Sequence, residues 1–358
     1  SGRAPIRLGL VGGGRVAETR HLPALARVSG GRVVAAADVD PVNLERVARR
    51  FDIERRHADF RAMLREEELD AVAVCVPPAL HAEVALAALD AGKHLFVEKP
   101  LALRLEDCDL LIERARAAGV CGMVGFNLRW HRLVCEAREA VRRGEIGELR
   151  MLRTVFTART RAGGDRFTPT PAWRARPEEG GGALFDLGVH HFDLLGFLLG
   201  DEVEEVSALG PSDEDADACA FTARTSRGVL VSSVFCEGTA ECHELELYGT
   251  RGRLRVSPYR FDGLERTDGA AYAGAPCERL RGVARTVREL PRALLRARAG
   301  GDLLNSYAAE WEHFFNAIRR DAAPAATLED GRRALALALA AARAVGERRA
   351  VKLLAVSD

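Results

Sequence analysis

The chain has 358 residues, more than one ordinary domain holds and enough for two, each with its own core. Its 52 acidic and 52 basic residues cancel, so no net field directs it toward nucleic acid or a membrane surface, and a small-molecule partner is the expectation. Only three of the basic residues, Lys93, Lys99 and Lys352, are lysine in a chain that otherwise writes arginine.

In chain order, short β-branched runs at 6–11, 33–38, 71–76, 95–97 and 123–125 alternate with helix-period segments at 16–27, 42–51, 81–91 and 105–118. This βαβ repetition predicts an α/β domain on a parallel sheet over residues 1–126. Beyond about residue 150 the strands lengthen and alternate, at 149–160, 218–225, 229–235 and 244–248. They predict a second, α+β domain over residues 127–358, built on a large, mostly antiparallel open sheet. Residues 180–200, "GGGALFDLGVHHFDLLGFLLG", are apolar on nearly every side and read as a buried helix. Residues 211–218 read as a charged turn, and 307–344 as helix with a break near Pro324. In 279–298, Arg285, Arg288, Arg292 and Arg296 lie opposite Val283, Val287, Leu290 and Leu294, with Pro291 as a kink. That stretch is either an amphipathic surface helix or a face for phosphate or an acidic partner.

The eight cysteines are scattered with no C-x-x-C pair, which fits reduced thiols in the cytoplasm. Cys236, Cys242 and His243 match no common zinc spacing, so no metal is expected. No apolar run is read as long enough for a membrane span, and Ser1-Gly2 reads as a remnant of tag removal.

Gly12-Gly13-Gly14-Arg15-Val16-Ala17 follows the first strand and opens the first helix, the context a G-x-G-x-x-[GA] phosphate loop requires. Gly12 allows the tight turn, Gly14 lets backbone N–H groups approach a pyrophosphate, and Ala17 permits close helix packing. Asp38 ends the second strand, where its carboxylate accepts from adenosine ribose hydroxyls, and no Arg or Lys follows at once to offset a 2′-phosphate. NAD is expected in preference to NADP.

The segment Glu98-Lys99-Pro100 ends a strand and precedes a helix, and it resembles the "EKP" signature of the glucose-fructose oxidoreductase, inositol dehydrogenase and MocA family. "VGGGRVAETRHLPAL", "DAVAVCVPPALHAEVALAALDAGKHLFVEKPLAL", "VGFNLRWHR", "GEIGEL" and the 180–200 segment are similar to family segments in the same order, over most of the chain. The resemblance implies a Rossmann domain followed by an α+β domain. It also implies oxidation or reduction of a secondary hydroxyl on a sugar, cyclitol or sugar derivative, and a homodimer or homotetramer formed through the open sheet.

Such chemistry needs a proton acceptor, a group that stabilises the developing oxyanion, and a nicotinamide beside the hydride-bearing carbon. The resemblance implies that His190 is the acid/base, Asp186 its partner through a D-x-x-x-H pattern, and Lys99 the group that polarises the reacting oxygen. A lysine suits this task because an ammonium is compact and its pKa moves on burial, whereas guanidinium stays charged. The candidate cofactor-facing set is Gly12, Gly14, Arg15, Val16, Asp38, Val76, Pro77, His81, Glu98 and Lys99, with His81 either touching ligand or capping and packing. Arg129, Trp173 and Arg174 either wall the substrate pocket, favouring an acidic substrate, or serve as core and interdomain glue. Two rival functions remain: an NAD-dependent glycosidase working by transient oxidation, and a dinucleotide- or sugar-sensing regulator.

Overall fold

The computed structural model describes residues 4–159, 171–211, 217–270 and 275–353. Ser1-Gly2, Thr160 and most of the charged turn after Pro211 lie outside the described residues. Two compact units emerge. The first comprises Ser1–Asn127, Glu178–Gly180 and Leu304–Leu335, and the second comprises Leu128–Pro177, Gly181–Leu303 and Ala336–Asp358. Leu304–Leu335 therefore returns to the first unit, a return that a plain division at 126/127 does not contain.

The first unit is built on six parallel strands: β1 (Ile6–Val11), β2 (Gly31–Ala37), β3 (Arg55–His57), β4 (Ala71–Val74), β5 (His94–Glu98) and β6 (Gly122–Gly125). Their order is β3-β2-β1-β4-β5-β6, the doubly wound arrangement with its switch point between β1 and β4. All four residues of β4, "AVAV", are buried, as a central strand covered on both faces must be. Asp40 caps the helix Pro41–Arg50 by accepting from Val42 N–H, and Gly119, at φ 63°, ends the helix Leu105–Ala118. The returning helix Gly301–Arg320 adds an aromatic core: Trp311 stacks on Phe96 with centroids 4.2 Å apart, and Phe315 fills space that only glycine at 30 and 31 leaves open.

The second unit carries an eight-stranded sheet: β7 (Leu149–Ala158), β8 (Val203–Leu209), β9 (Ala218–Thr225), β10 (Leu230–Glu237), β11 (Cys242–Gly249), β12 (Gly252–Val256), β13 (Leu264–Asp268) and β14 (Val351–Lys352). The order is β13-β12-β11-β7-β10-β9-β8-β14, antiparallel except for the β7–β10 pair. The Rossmann-type sheet and the mostly antiparallel sheet agree with the sequence reading.

Two details differ from expectation. The segment Pro177–Leu199 does have the length and apolarity of a membrane span, and 78% of its apolar window is buried, which is the condition of a core helix. Its first part, Ala183–Gly188, is π-helical before the regular turns of Val189–Leu199. The second correction concerns the helix Pro276–Arg298. An amphipathic surface helix should turn its apolar stripe inward, yet here Leu280, Val283, Val287, Leu290 and Leu294 are exposed. The inner positions are held instead by Arg285, Thr286, Glu289 and Arg296, which find charged or hydrogen-bonding partners there.

Candidate active site

The first unit's site begins where β1 ends. Gly12 has φ 96° and donates its N–H to Ala37 O, and a Cβ there would stand 2.6 Å from the Cys75 carbonyl, so only glycine fits the turn. A Cβ on Gly14 would meet nothing within 4 Å, so the loop is open in front of it, which is the cradle a pyrophosphate needs. Arg15 is exposed and Val16 half-buried in the turn that follows. Asp38 Oδ2 accepts from Gly13 N–H at 2.6 Å and Oδ1 from Asp40 N–H at 2.8 Å, so the carboxylate is fixed at the tip of β2. Next to it Val39 is 88% exposed, an apolar surface suited to an adenine ring. Arg46, whose Nη2 lies 3.5 Å from Gly13 O, is paired with Glu18 Oε2 at 3.0 Å and bonded to Asn43. The donor set and the open cradle fit NAD.

At the end of β5, Glu98 is buried and half-buried Lys99 follows. Glu98 Oε2 accepts the Lys99 backbone N–H at 3.0 Å, while Oε1 lies 2.7 Å from His21 Nε2. The indole N–H of Trp311 donates to His21 Nδ1 at 3.2 Å. Because indole can only donate, Nδ1 must accept, so Nε2 carries the proton and donates to Glu98. His81 is 1% exposed, with Nδ1 2.7 Å from Pro100 O and Nε2 2.9 Å from Val76 O. Burial lowers its pKa, an effect opposed by the two carbonyls. His81 thus braces the segment after Lys99 against the end of β4, the packing role considered for it. Val76 contributes its carbonyl to this brace, and Pro77 is exposed beside it.

In the second unit, the π-helical turn carries Asp186, 5% exposed, with an oxygen 2.7 Å from Arg174 Nη2. The π-helical turn Ala183–Gly188 leads into the regular helix that carries His190, and Arg174 is the charge partner of Asp186 that the sequence did not assign. Gly181 makes this possible, since a Cβ there would lie 2.2 Å from Arg174 O. Arg174 also packs by Trp173, its guanidinium carbon 5.7 Å from the ring centroid, and both side chains are half-buried. His190 is half-buried, 6.4 Å from the Phe156 ring centroid.

Arg129 is not free to receive a substrate. It is 8% exposed and grips Asp193 through Nε at 2.9 Å and Nη2 at 2.5 Å, a buried bidentate pair inside the second unit. Removing one partner of such a pair costs about 3–5 kcal/mol, so its role is structural. Sequence reasoning also missed His21 and Trp311. His21 lies within the quoted "RHLPAL" run, but nothing local marks its partner.

A parallel sheet in doubly wound order, with a glycine cradle after β1 and an acidic residue at the end of the neighbouring β2, defines a dinucleotide-binding enzyme domain. Residues 6–126 match the family described as "Oxidoreductase family, NAD-binding Rossmann fold", and residues 134–255 match the "GFO/IDH/MocA C-terminal domain". The chain belongs to the Gfo/Idh/MocA oxidoreductase family. It is 31% identical to a myo-inositol 2-dehydrogenase of Thermotoga maritima, over 97% of this chain and 98% of that protein. It is 35% identical to a dTDP-3,4-didehydro-2,6-dideoxy-alpha-D-glucose 3-reductase of Saccharopolyspora spinosa, over 71% of this chain and 75% of that one. Among solved structures, a probable dehydrogenase from Thermotoga maritima superposes with TM-score 0.76 at 26% identity, covering 97% of this chain and 98% of that one.

Proposed function

We propose that the protein is a cytoplasmic NAD(H)-dependent oxidoreductase that moves a hydride between nicotinamide and a secondary hydroxyl or ketone of a sugar, cyclitol or sugar derivative. The observation that carries this reading is the fixed position of Lys99: its backbone is bonded to buried Glu98, and His81 braces Pro100 behind it. The names of the two relatives, an inositol dehydrogenase and a nucleotide-sugar reductase, support the substrate class.

The residues of the glycine cradle would hold NAD, which would supply the hydride acceptor and donor. Gly12 and Gly14 hold the pyrophosphate turn, and Asp38 takes the adenosine ribose hydroxyls and repels a 2′-phosphate. Lys99 polarises the reacting oxygen, and His190 takes or returns the hydroxyl proton. Asp186, whose charge is balanced by Arg174, tunes that proton exchange. Trp173 and the remaining donors of Arg174 favour a substrate that carries an acidic substituent. The eight free cysteines suit a reducing compartment. Leu209, Leu230 and Val234, 72%, 55% and 43% exposed on one sheet, support assembly as a homodimer or homotetramer.

Incubation with NAD and a panel of cyclitols, aldoses, uronic acids and nucleotide sugars, followed by NADH absorbance, tests the activity. Net NADH with a plain polyol is the expected result. Release of a leaving group without net NADH would mark a glycosidase, and coenzyme binding with no turnover of any member of the panel would mark a sensor. Light scattering that finds only monomer would remove the assembly.

A further inference from the structure

The helix Pro276–Arg298 carries its polarity inside out. On its inner side Arg285 Nη2 stands 3.3 Å from Glu265, Thr286 donates to Asp262 at 2.5 Å, and Arg296 Nε lies 3.8 Å from Asp302. Glu289, between them, lies 3.6 Å from Arg292 and 3.8 Å from Arg288. These groups fix the helix to the second unit, and among its described apolar residues only Ala293 is buried. Outside, Leu280, Val283, Val287, Leu290 and Leu294 recur at alternating three- and four-residue steps, with exposures from 45% to 70%, and Leu295 beside them is 66% exposed. At 1.5 Å per residue that stripe is roughly 20 Å long. Arg281, Arg288 and Arg292 fall along one edge of it, the last two 74% and 70% exposed.

We propose that this helix docks the protein onto an anionic lipid surface, its leucine and valine stripe entering the apolar boundary and its arginines meeting the lipid phosphates. The helix sequence holds seven arginines and two glutamates in a chain whose total charge is zero, so the positive charge is concentrated where the apolar stripe is. That combination, on a helix too polar to span, is the signature of an interfacial helix. A cleft of about 390 Å³ beside the helix is lined by six arginines, Arg266, Arg285 and Arg288 among them, with three acidic residues. Within it, Arg285 Nε and both Nε and Nη2 of Arg296 are buried without a hydrogen-bond acceptor among the described residues, donors that a phosphate oxygen would satisfy.

Charge decides against a second copy of this chain as the occupant. Two such helices side by side would bring arginine edges together, and Glu289, half-buried among three arginines of its own helix, is not available to neutralise them. Chemistry decides against a protein partner. The stripe is wholly aliphatic, without the Trp, Tyr or Met anchors that concentrate binding energy in protein interfaces, whereas aliphatic side chains with flanking arginines suit a lipid boundary.

The test is sedimentation of the full chain with vesicles of phosphatidylcholine alone and of phosphatidylcholine mixed with phosphatidylglycerol. Expected is binding only to the anionic vesicles, weakened by salt. Binding should fall by about tenfold or more in Arg288→Glu/Arg292→Glu and in Val287→Ser/Leu294→Ser, and survive in Arg288→Lys/Arg292→Lys. NADH binding and circular dichroism should match the parent in all three variants, since none of these residues belongs to the coenzyme or substrate site. Failure to bind anionic vesicles at low salt, or equal binding to phosphatidylcholine, overturns the proposal. So does self-association abolished by Val287→Ser/Leu294→Ser without vesicle binding, which would make the stripe a subunit interface. Stabilisation by inorganic phosphate with no vesicle binding would make the cleft a site for a free anion and overturn the docking as well.

Discussion

His21 Nε2 donates to Glu98 Oε1 across 2.7 Å in a site where the imidazole is fully buried, and the direction of that bond is set by Trp311 on the other ring nitrogen. A helix from the C-terminal third of the chain thereby controls the tautomer of a histidine beside the glycine loop. That histidine holds the carboxylate to which the Lys99 backbone is anchored.

Removing the donor should expose this dependence. His21→Leu leaves the buried Glu98 carboxylate short of a hydrogen bond, a loss of about 1–3 kcal/mol that a urea melt reads directly. Trp311→Phe is the sharper variant, because stacking on Phe96 can persist while His21 Nδ1 loses the donor that fixes its tautomer. Turnover should fall by about tenfold with little change in NADH affinity. Parent-like turnover in Trp311→Phe would show that the indole serves packing alone.

Lys99 is tested by charge and shape separately. Lys99→Arg keeps a cation but misplaces it and fixes its protonation, and Lys99→Met removes it. Turnover should fall by roughly a hundredfold or more in both, while NADH affinity and melting temperature stay close to the parent's. Near-parent turnover in Lys99→Arg would take Lys99 out of the mechanism.

The parts legible in the sequence are those whose physics is local. The glycine turn, the acidic end of β2 and the lysine at the end of β5 each show within a few residues, because strand periodicity, φ requirements and strand ends are short-range properties. Trp311 and His21 are 290 positions apart, and neither residue type signals the other. Arg129 and Asp193 are 64 apart, so the sequence could not show that the two form a buried pair. Arg174, the charge partner of Asp186, lies on a separate short turn, and nothing in the local pattern joins the two. The Pro276–Arg298 stripe was visible as a pattern, but which side faces the protein depends on acidic partners at Asp262, Glu265 and Asp302.

Asp38 has a double duty that alters the expected outcome of its removal. Beyond the ribose contact proposed for it, Asp38 accepts from Gly13 N–H at 2.6 Å, so Asp38→Ala should weaken both coenzymes by loosening the glycine turn. NADH should lose more than NADPH, narrowing the preference, because only the loss of repulsion compensates the phosphorylated form. Fluorescence titration with both dinucleotides measures this, and tighter binding of NADPH than NADH by the parent protein would refute the assignment of Asp38.

The last prediction concerns acid. His131, His191 and His243 are buried in the second unit, with His191 Nε2 3.0 Å from His243 Nε2 and Phe156 stacked on both rings. Burial pushes His131 down to about 4 and His191 down to about 3, the latter aided by the neighbouring His190, and lowers His243 well below the usual histidine range. A histidine in the unfolded chain titrates near 6.5. Above that pH neither state is protonated at these positions and they cost nothing. As pH falls from about 6.5 toward 4, the unfolded chain takes up protons that the folded chain refuses, so folding stability must drop. Each histidine contributes up to about 1.4 kcal/mol per pH unit, so the three together give a slope approaching about 4 kcal/mol per unit. Below about pH 4 His131 begins to protonate in the folded state, and its share of the slope ends. Urea unfolding followed by circular dichroism across this range should show the steep loss, and His131→Leu should reduce the slope by close to one proton. A slope unchanged in that variant would mean that His131 takes its proton equally in the folded and unfolded chain.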